Sequence, residues 1–152
     1  MKYNLIILSL MLVFAAPALG QKVDYNTDKG AAAEGYDVVA YFSQKAVKGK
    51  SQFTHTHDGL QYKFASAANR DKFKANPAKY KPQYGGWCAY AMGAKSEKVS
   101  IDPETFEVRG GKLYLFYNAF FTNTHESWVE EGPEKLMKKA DTNWAKIKFK
   151  KS

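Results

Sequence analysis

The sequence holds one cysteine in 152 residues, together with only 11 glycines and 5 prolines. A single cysteine excludes an intrachain disulfide framework, a CxxC redox pair and a four-cysteine zinc site. So few glycines and prolines exclude a fibrous or low-complexity chain. No esterase, metalloprotease or phosphate-loop motif is present. These absences predict a chain that binds and is not an enzyme.

The composition that remains is that of one folded domain. Apolar residues make up 45% and aromatic residues 15% of the chain, which is too hydrophobic for a disordered protein. The formal charge is +8, but the lysines are scattered and no nucleic-acid motif accompanies them, so we expect no nucleic-acid partner. The charge instead predicts a solvated face and a basic tail over residues 148–152. Contact with an anionic lipid surface is the lesser alternative.

The first twenty residues predict a cleaved signal peptide. Lys2 precedes an apolar run from Leu5 to Ala16, and Ala18 and Gly20 fit the small residues of a peptidase site. The alternative is a retained anchor helix, although the run is shorter than the about 20 residues of a membrane span. We therefore expect cleavage after Gly20 and a periplasmic or secreted mature chain.

Two hairpins are predicted by paired turn residues. Asp58-Gly59 lies between two alternating runs, as in a two-residue turn. The resulting register pairs six residues on one apolar face, namely His57 with Leu60, His55 with Tyr62 and Phe53 with Phe64. Gly110-Gly111 predicts the second turn.

Helices are predicted from three caps and a proline. Ser66, Asn76 and Asn123 each precede a helical stretch, and Pro133 opens the last helix. Hairpins that alternate with short helices predict an α+β fold. A domain over residues 35–147 follows a lead-in, residues 21–34, that is polar, aperiodic and expected to be flexible.

Several motifs resemble those of the YHS domain family, in particular its small exported single-domain members. The matching segments are GYDVVAYF at 35–42, DGLQYKFASAANRDKFKANPAKYKPQYGGWCAYAM at 58–92, DPETFEV at 102–108, GGKLYLFYN at 110–118 and KADTNW at 139–144. The resemblance implies a treble-clef-like core followed by C-terminal helices. It also implies a relation to metal-binding modules of heavy-metal ATPases and sensors.

The chain departs from those modules at their metal site. Their strand-to-helix corner reads Phe-Cys-Ser with a second cysteine three residues after the serine. Ala65 and Asn69 occupy the two cysteine positions here. A tetrahedral thiolate site therefore cannot form at that corner.

A different metal site is predicted from His55, His57 and Cys88. Alternate residues of one strand project the same way, and imidazole with thiolate suits copper or zinc. Met92 offers a thioether for Cu(I). The alternative is that both histidines pack in the core and Cys88 is a small buried residue.

Further residues are candidates for a pocket around Cys88. Asp37, Tyr41 and Tyr84 lie in the matching motifs, although Asp37 also suits a turn cap and Tyr84 a core position. Three functions remain open at this point. They are metal handling, a small-molecule or protein-binding module with a structural Cys88, and a thiol-dependent enzyme in which a histidine activates Cys88. The oligomeric state is left undecided by the sequence.

Overall fold

The computed structural model describes residues 20–152, so the predicted signal peptide lies outside the described part except for Gly20. No helix within this part is long and apolar enough to cross a membrane. The helices are α1 (Ala67–Ala75), α2 (Pro77–Tyr80), α3 (Ala89–Lys95), α4 (Thr124–Glu131) and α5 (Pro133–Ile147). The strands are β1 (Thr27–Asp28), β2 (Ala31–Ala32), β3 (Lys50–His57), β4 (Leu60–Phe64), β5 (Asp102–Arg109), β6 (Lys112–Phe116), β7 (Asn118–Ala119) and β8 (Thr122–Asn123). The predicted α+β class is confirmed.

The first sheet has the strand order β1-β2-β4-β3. Asp58 and Gly59 both have positive φ, 52° and 76°, as the predicted two-residue turn requires. The turn sets His57 opposite Leu60 and His55 opposite Tyr62, as predicted. The third pair, Phe53 with Phe64, is wrong.

The register changes because β3 is irregular between Lys50 and Thr54. Lys50 lies opposite Phe64 and Thr54 opposite Lys63, so the intervening residues of β3 have no partner in the ladder. Such a bulge bends one strand and ends the strict alternation on which the prediction rested.

The lead-in is also different from its prediction. Residues 21–34 were expected to be flexible, but β1 and β2 form within them, and Ala31 pairs in parallel with Gln61 of β4. Ala31, Ala32 and Ala33 are buried. Strands of two residues are too short to show a period of two, which is why the sequence pattern missed them.

Strand β6 separates two hydrophobic clusters. The Gly110-Gly111 turn is confirmed, with Arg109 opposite Lys112. Leu113 and Leu115 pack in the cluster beside the first sheet. Tyr114 and Phe116 point the other way and pack with the C-terminal helices. All four side chains are buried because alternate residues of the strand face different clusters.

The C-terminal helices begin where predicted and are tied to the lead-in. The Asn123 side chain accepts the His125 N–H at the start of α4, and Pro133 opens α5. The tail is not free, because the Lys148 carbonyl accepts the Asp24 N–H and the Ser152 N–H donates to the Asp24 carboxylate. This arrangement lays α5 and the tail along one side of the lead-in.

Candidate functional site

The two histidines of the predicted metal site contact one phenylalanine of α1. The ring centroids of His55 and His57 lie 6.1 and 5.8 Å from that of Phe73, both edge-on. Tyr62 and Phe64 contact the same ring from β4. The predicted common side of the hairpin is therefore confirmed, and both imidazoles are engaged in aromatic packing there.

Cys88 lies among different neighbours. Its side chain is fully buried, with the sulfur 3.3 Å from the Thr124 hydroxyl and accepting the Tyr117 N–H at 3.4 Å. Within residues 20–152, no three or more His, Cys, Asp or Glu side chains form a group that could hold a metal ion. The structure thus does not assemble His55, His57 and Cys88 into the predicted three-ligand site. The register placed His55 and His57 correctly on β3, but their convergence with Cys88 depends on contacts between distant segments.

The corner that carries thiolates in the related modules is closed by hydrogen bonds to Asp37. The Ala65 N–H and the Asn69 side-chain amide donate to Oδ2 of Asp37, at 2.8 and 2.7 Å. The Val39 and Ala40 N–H groups donate to Oδ1. One buried carboxylate therefore caps the turn at residues 40–43 and links it to the β4–α1 corner. The residues present do not fit a soft metal ion at this place.

The remaining sequence candidates divide between packing and a cavity. Met92 is buried in the C-terminal cluster, and Tyr41 is buried with its hydroxyl donating to the Pro103 carbonyl at 2.6 Å. Tyr84 is different, because its ring lines a cavity. Its hydroxyl donates to the Asp141 carboxylate of α5 at 3.0 Å.

The cavity has a volume of about 410 Å³ and lies between the lead-in, the first sheet and α5. Four of its lining residues are aromatic: Tyr25, Tyr62, Tyr84 and Trp144. Lys81, Asp141 and Lys148 supply the charges. A volume of this size with apolar walls and a few polar groups is typical of small-molecule sites.

Paired glycines allow one wall of this cavity to form. Tyr84, Gly85 and Gly86 have successive positive φ values of 55°, 63° and 83°. A Cβ on Gly85 would lie 2.7 Å from the Trp144 ring. The Asn26 N–H and side-chain amide donate to the carbonyls of Gly85 and Gly86. Gly85 therefore allows the backbone to approach Trp144 closely, and the lead-in holds this segment from the other side.

The Tyr62 hydroxyl is a polar group that is accessible from the cavity. The residue is 2% exposed and lines the cavity, but within residues 20–152 the buried side-chain polar atom without a partner is Trp128 Nε1 and not the Tyr62 oxygen. Burial raises the pKa of Tyr62 and, with the Asp141 charge, that of Tyr84. Both hydroxyls therefore remain protonated at neutral pH. Tyr62 can therefore donate a hydrogen bond to a molecule in the cavity.

Sequence reasoning found one edge of this site and missed the rest. Tyr84, Gly85, Gly86 and Trp144 lie in the motifs that carry the family resemblance, and Tyr84 was a pocket candidate. Asn26 and Tyr25 lie in a segment without pattern, and nothing in the sequence indicates that the segment reaches residues 84–86. Asp141 lies one turn before Trp144 on α5, so a helix-face comparison was the available signal for it.

Comparison with known proteins identifies one part of the chain. Residues 38–84 match the family model of the YHS domain. No curated protein and no solved structure matches the chain. The match includes Tyr62, Lys81 and Tyr84 of the cavity, whereas Trp144 and Asp141 lie in the C-terminal part outside it.

Proposed function

We propose that this chain is an exported binding module for a small organic molecule. Residues 38–84 match the family model of the YHS domain, a domain often associated with metal handling. The corner at which the resemblance implies a metal site is closed here by the hydrogen bond between Asn69 and Asp37. The ligand occupies the cavity between the lead-in, β4 and α5. Cys88 has a structural role in this proposal, and no copper or zinc ion is involved.

The observation that carries the proposal is the cavity of about 410 Å³ with its four aromatic lining residues. The protonated Tyr62 hydroxyl is accessible from this cavity, so it can donate a hydrogen bond to a ligand there. The aromatic walls favour a ring, and the two lysines against one aspartate favour a neutral or anionic molecule. An aromatic compound with a carboxylate, sulfonate or hydroxyl oxygen has these properties.

Filling the cavity is expected to abolish binding of a suitable probe. Ala78 is exposed on α2 and lines the cavity, so Ala78→Trp blocks the cavity without disturbing the core. Anilinonaphthalenesulfonate, an anionic aromatic dye, should bind the wild type with a blue-shifted emission and bind Ala78→Trp at least ~10-fold more weakly. Tyr62→Phe should weaken it about fivefold through the loss of one hydrogen bond.

Ala145→Trp is the matched control for this experiment. Ala145 is exposed on α5 and does not line the cavity, so the same substitution there should leave dye affinity unchanged. Equal affinities of the Ala78→Trp and Ala145→Trp variants would mean that the dye binds elsewhere, and the cavity would lose its assignment.

Cys88→Ser separates the structural role of the cysteine from a metal role. Exchanging a buried sulfur for a hydroxyl should lower the free energy of unfolding by about 1–2 kcal/mol, measured by urea denaturation, and leave dye binding unchanged. Elemental analysis of wild type and variant should show the same absence of stoichiometric copper or zinc. Stoichiometric metal in the wild type that disappears in Cys88→Ser would instead support the thiolate site.

A further inference from the structure

A two-residue turn between β7 and β8 exposes two phenylalanines. Phe120 is 89% exposed and Phe121 fully exposed. Their φ values are 49° and 64°, a left-handed conformation that is unfavourable for bulky residues and that Asn-Gly normally supplies in such turns. We call Phe120 and Phe121 the Phe turn. The chain thus keeps aromatic side chains where both hydration and backbone conformation disfavour them.

Charge is unevenly distributed around this turn. Residues 102–134 contain seven Asp and Glu against two Lys and Arg, whereas the rest of the chain contains eight against twenty-one. Acidic side chains are hydrogen-bonded to the strands of the turn, one directly and one through Thr105. Asn123 donates to Glu126, and Asn118 donates to Thr105, which in turn donates to Asp102. The Phe turn therefore lies in the acidic part of a basic protein.

The cavity has the complementary properties. None of its lining residues belongs to residues 102–134, and its charged lining residues are Lys81, which is paired with Asp58, together with Lys148 and Asp141. An apolar cavity of roughly 150 Å³ holds one benzene molecule, so about 410 Å³ has room for two phenyl rings. The aromatic walls offer the edge and stacking contacts that phenyl rings prefer.

We propose that the Phe turn of one copy docks in the cavity of a second copy of this chain. The contact uses the cavity assigned above to ligand binding, and it makes self-association compete with the ligand. A contact between two Phe turns is disfavoured because it brings two acidic regions together. Insertion into an anionic bilayer is disfavoured for the same reason. Docking in the cavity instead brings the acidic region against the part of the chain that carries eight Asp and Glu against twenty-one Lys and Arg.

Sedimentation velocity over a range of protein concentrations tests this contact. Phe120→Asn/Phe121→Gly replaces the Phe turn by residues that favour its backbone conformation. This double variant should therefore unfold at a higher urea concentration than the wild type and yet associate ~100-fold more weakly, since two buried phenyl rings are lost. A loss of association with a gain in stability cannot arise from misfolding. Raising the salt concentration should also weaken wild-type association.

A mixing experiment identifies the two halves of the contact. Ala78→Trp blocks the cavity and Phe120→Asn/Phe121→Gly removes the Phe turn, so each variant alone should be monomeric. Their equimolar mixture should form a 1:1 complex, because one intact turn meets one intact cavity. Ala145→Trp should associate like the wild type.

Three results would overturn the proposal. They are a wild type that is monomeric at all concentrations, association that survives loss of the Phe turn, and a mixture that stays monomeric. Binding to phosphatidylcholine–phosphatidylglycerol vesicles that requires the Phe turn, without self-association, would assign the turn to a membrane instead.

The dye experiment is independent of these results, because it is performed at protein concentrations below those at which the chain associates. Failure of dye binding therefore refutes the ligand proposal alone.

Discussion

Replacing Asp37 by alanine is expected to lower the free energy of unfolding by about 3–5 kcal/mol, the usual loss when one partner of a buried charged network is removed. The side chain is fully buried and accepts four hydrogen bonds. Alanine removes the acceptor of the Val39, Ala65 and Asn69 donors, whereas the Ala40 N–H keeps the carbonyl of residue 37, and each unpaired donor is costly. The loss should be measurable as a shift in the urea midpoint at an unchanged slope.

Two further variants show which part of the effect belongs to the carboxylate. Asn69→Ala removes one donor and should cost about 1–2 kcal/mol. Asp71→Ala removes an exposed carboxylate whose partner is Arg70 and should cost less than about 1 kcal/mol. If Asp37→Ala proved no more harmful than Asp71→Ala, the four hydrogen bonds would not hold the corner as described.

Asp37 also accounts for how the β4–α1 corner is held together where thiolates are absent. Its carboxylate accepts hydrogen bonds from Ala65 and Asn69, the two positions at which the resemblance implies cysteines in metal-binding modules. A hydrogen-bonded carboxylate thus joins the turn at residues 40–43 to this corner. The sequence showed the loss of the thiolates but not this replacement, because residues 37 and 69 are distant in the chain.

Local signals predicted the elements of the fold well. Asp58-Gly59 set the register of His55 and His57, and Ser66 set the start of α1, because turns and caps depend on neighbouring residues. The errors arose where distant segments decide the outcome. The bulge in β3 and the pairing of Ala31 with Gln61 are examples, since neither follows from the residues nearby.

The candidate site was less predictable than the fold for the same reason. His55 was placed on the correct strand, yet it contacts Phe73, whereas Cys88 contacts Thr124. The cavity gathers residues from the lead-in, β4 and α5. A pattern within one segment cannot show which segments meet, so the aromatic wall became visible only in three dimensions.

The position of α5, and with it one wall of the cavity, depends on Gly93 of α3. A Cβ at residue 93 would lie 2.7 Å from the Leu136 carbonyl oxygen, a backbone atom that cannot move without moving α5. Helix propensity alone favours alanine over glycine by about 1 kcal/mol. Overpacking costs more, typically 1–3 kcal/mol, so we expect Gly93→Ala to destabilise the protein.

The same substitution should weaken binding in the cavity, because Asp141 and Trp144 lie on the displaced helix. We expect dye affinity to fall several-fold in Gly93→Ala, in parallel with a lower urea midpoint. Ala94→Gly is the control, since Ala94 is exposed on the same helix and reports propensity alone, with a loss of about 1 kcal/mol and unchanged dye binding. A Gly93→Ala variant that gained stability would show that α3 and α5 do not approach so closely, and the wall that Trp144 forms would then need another support.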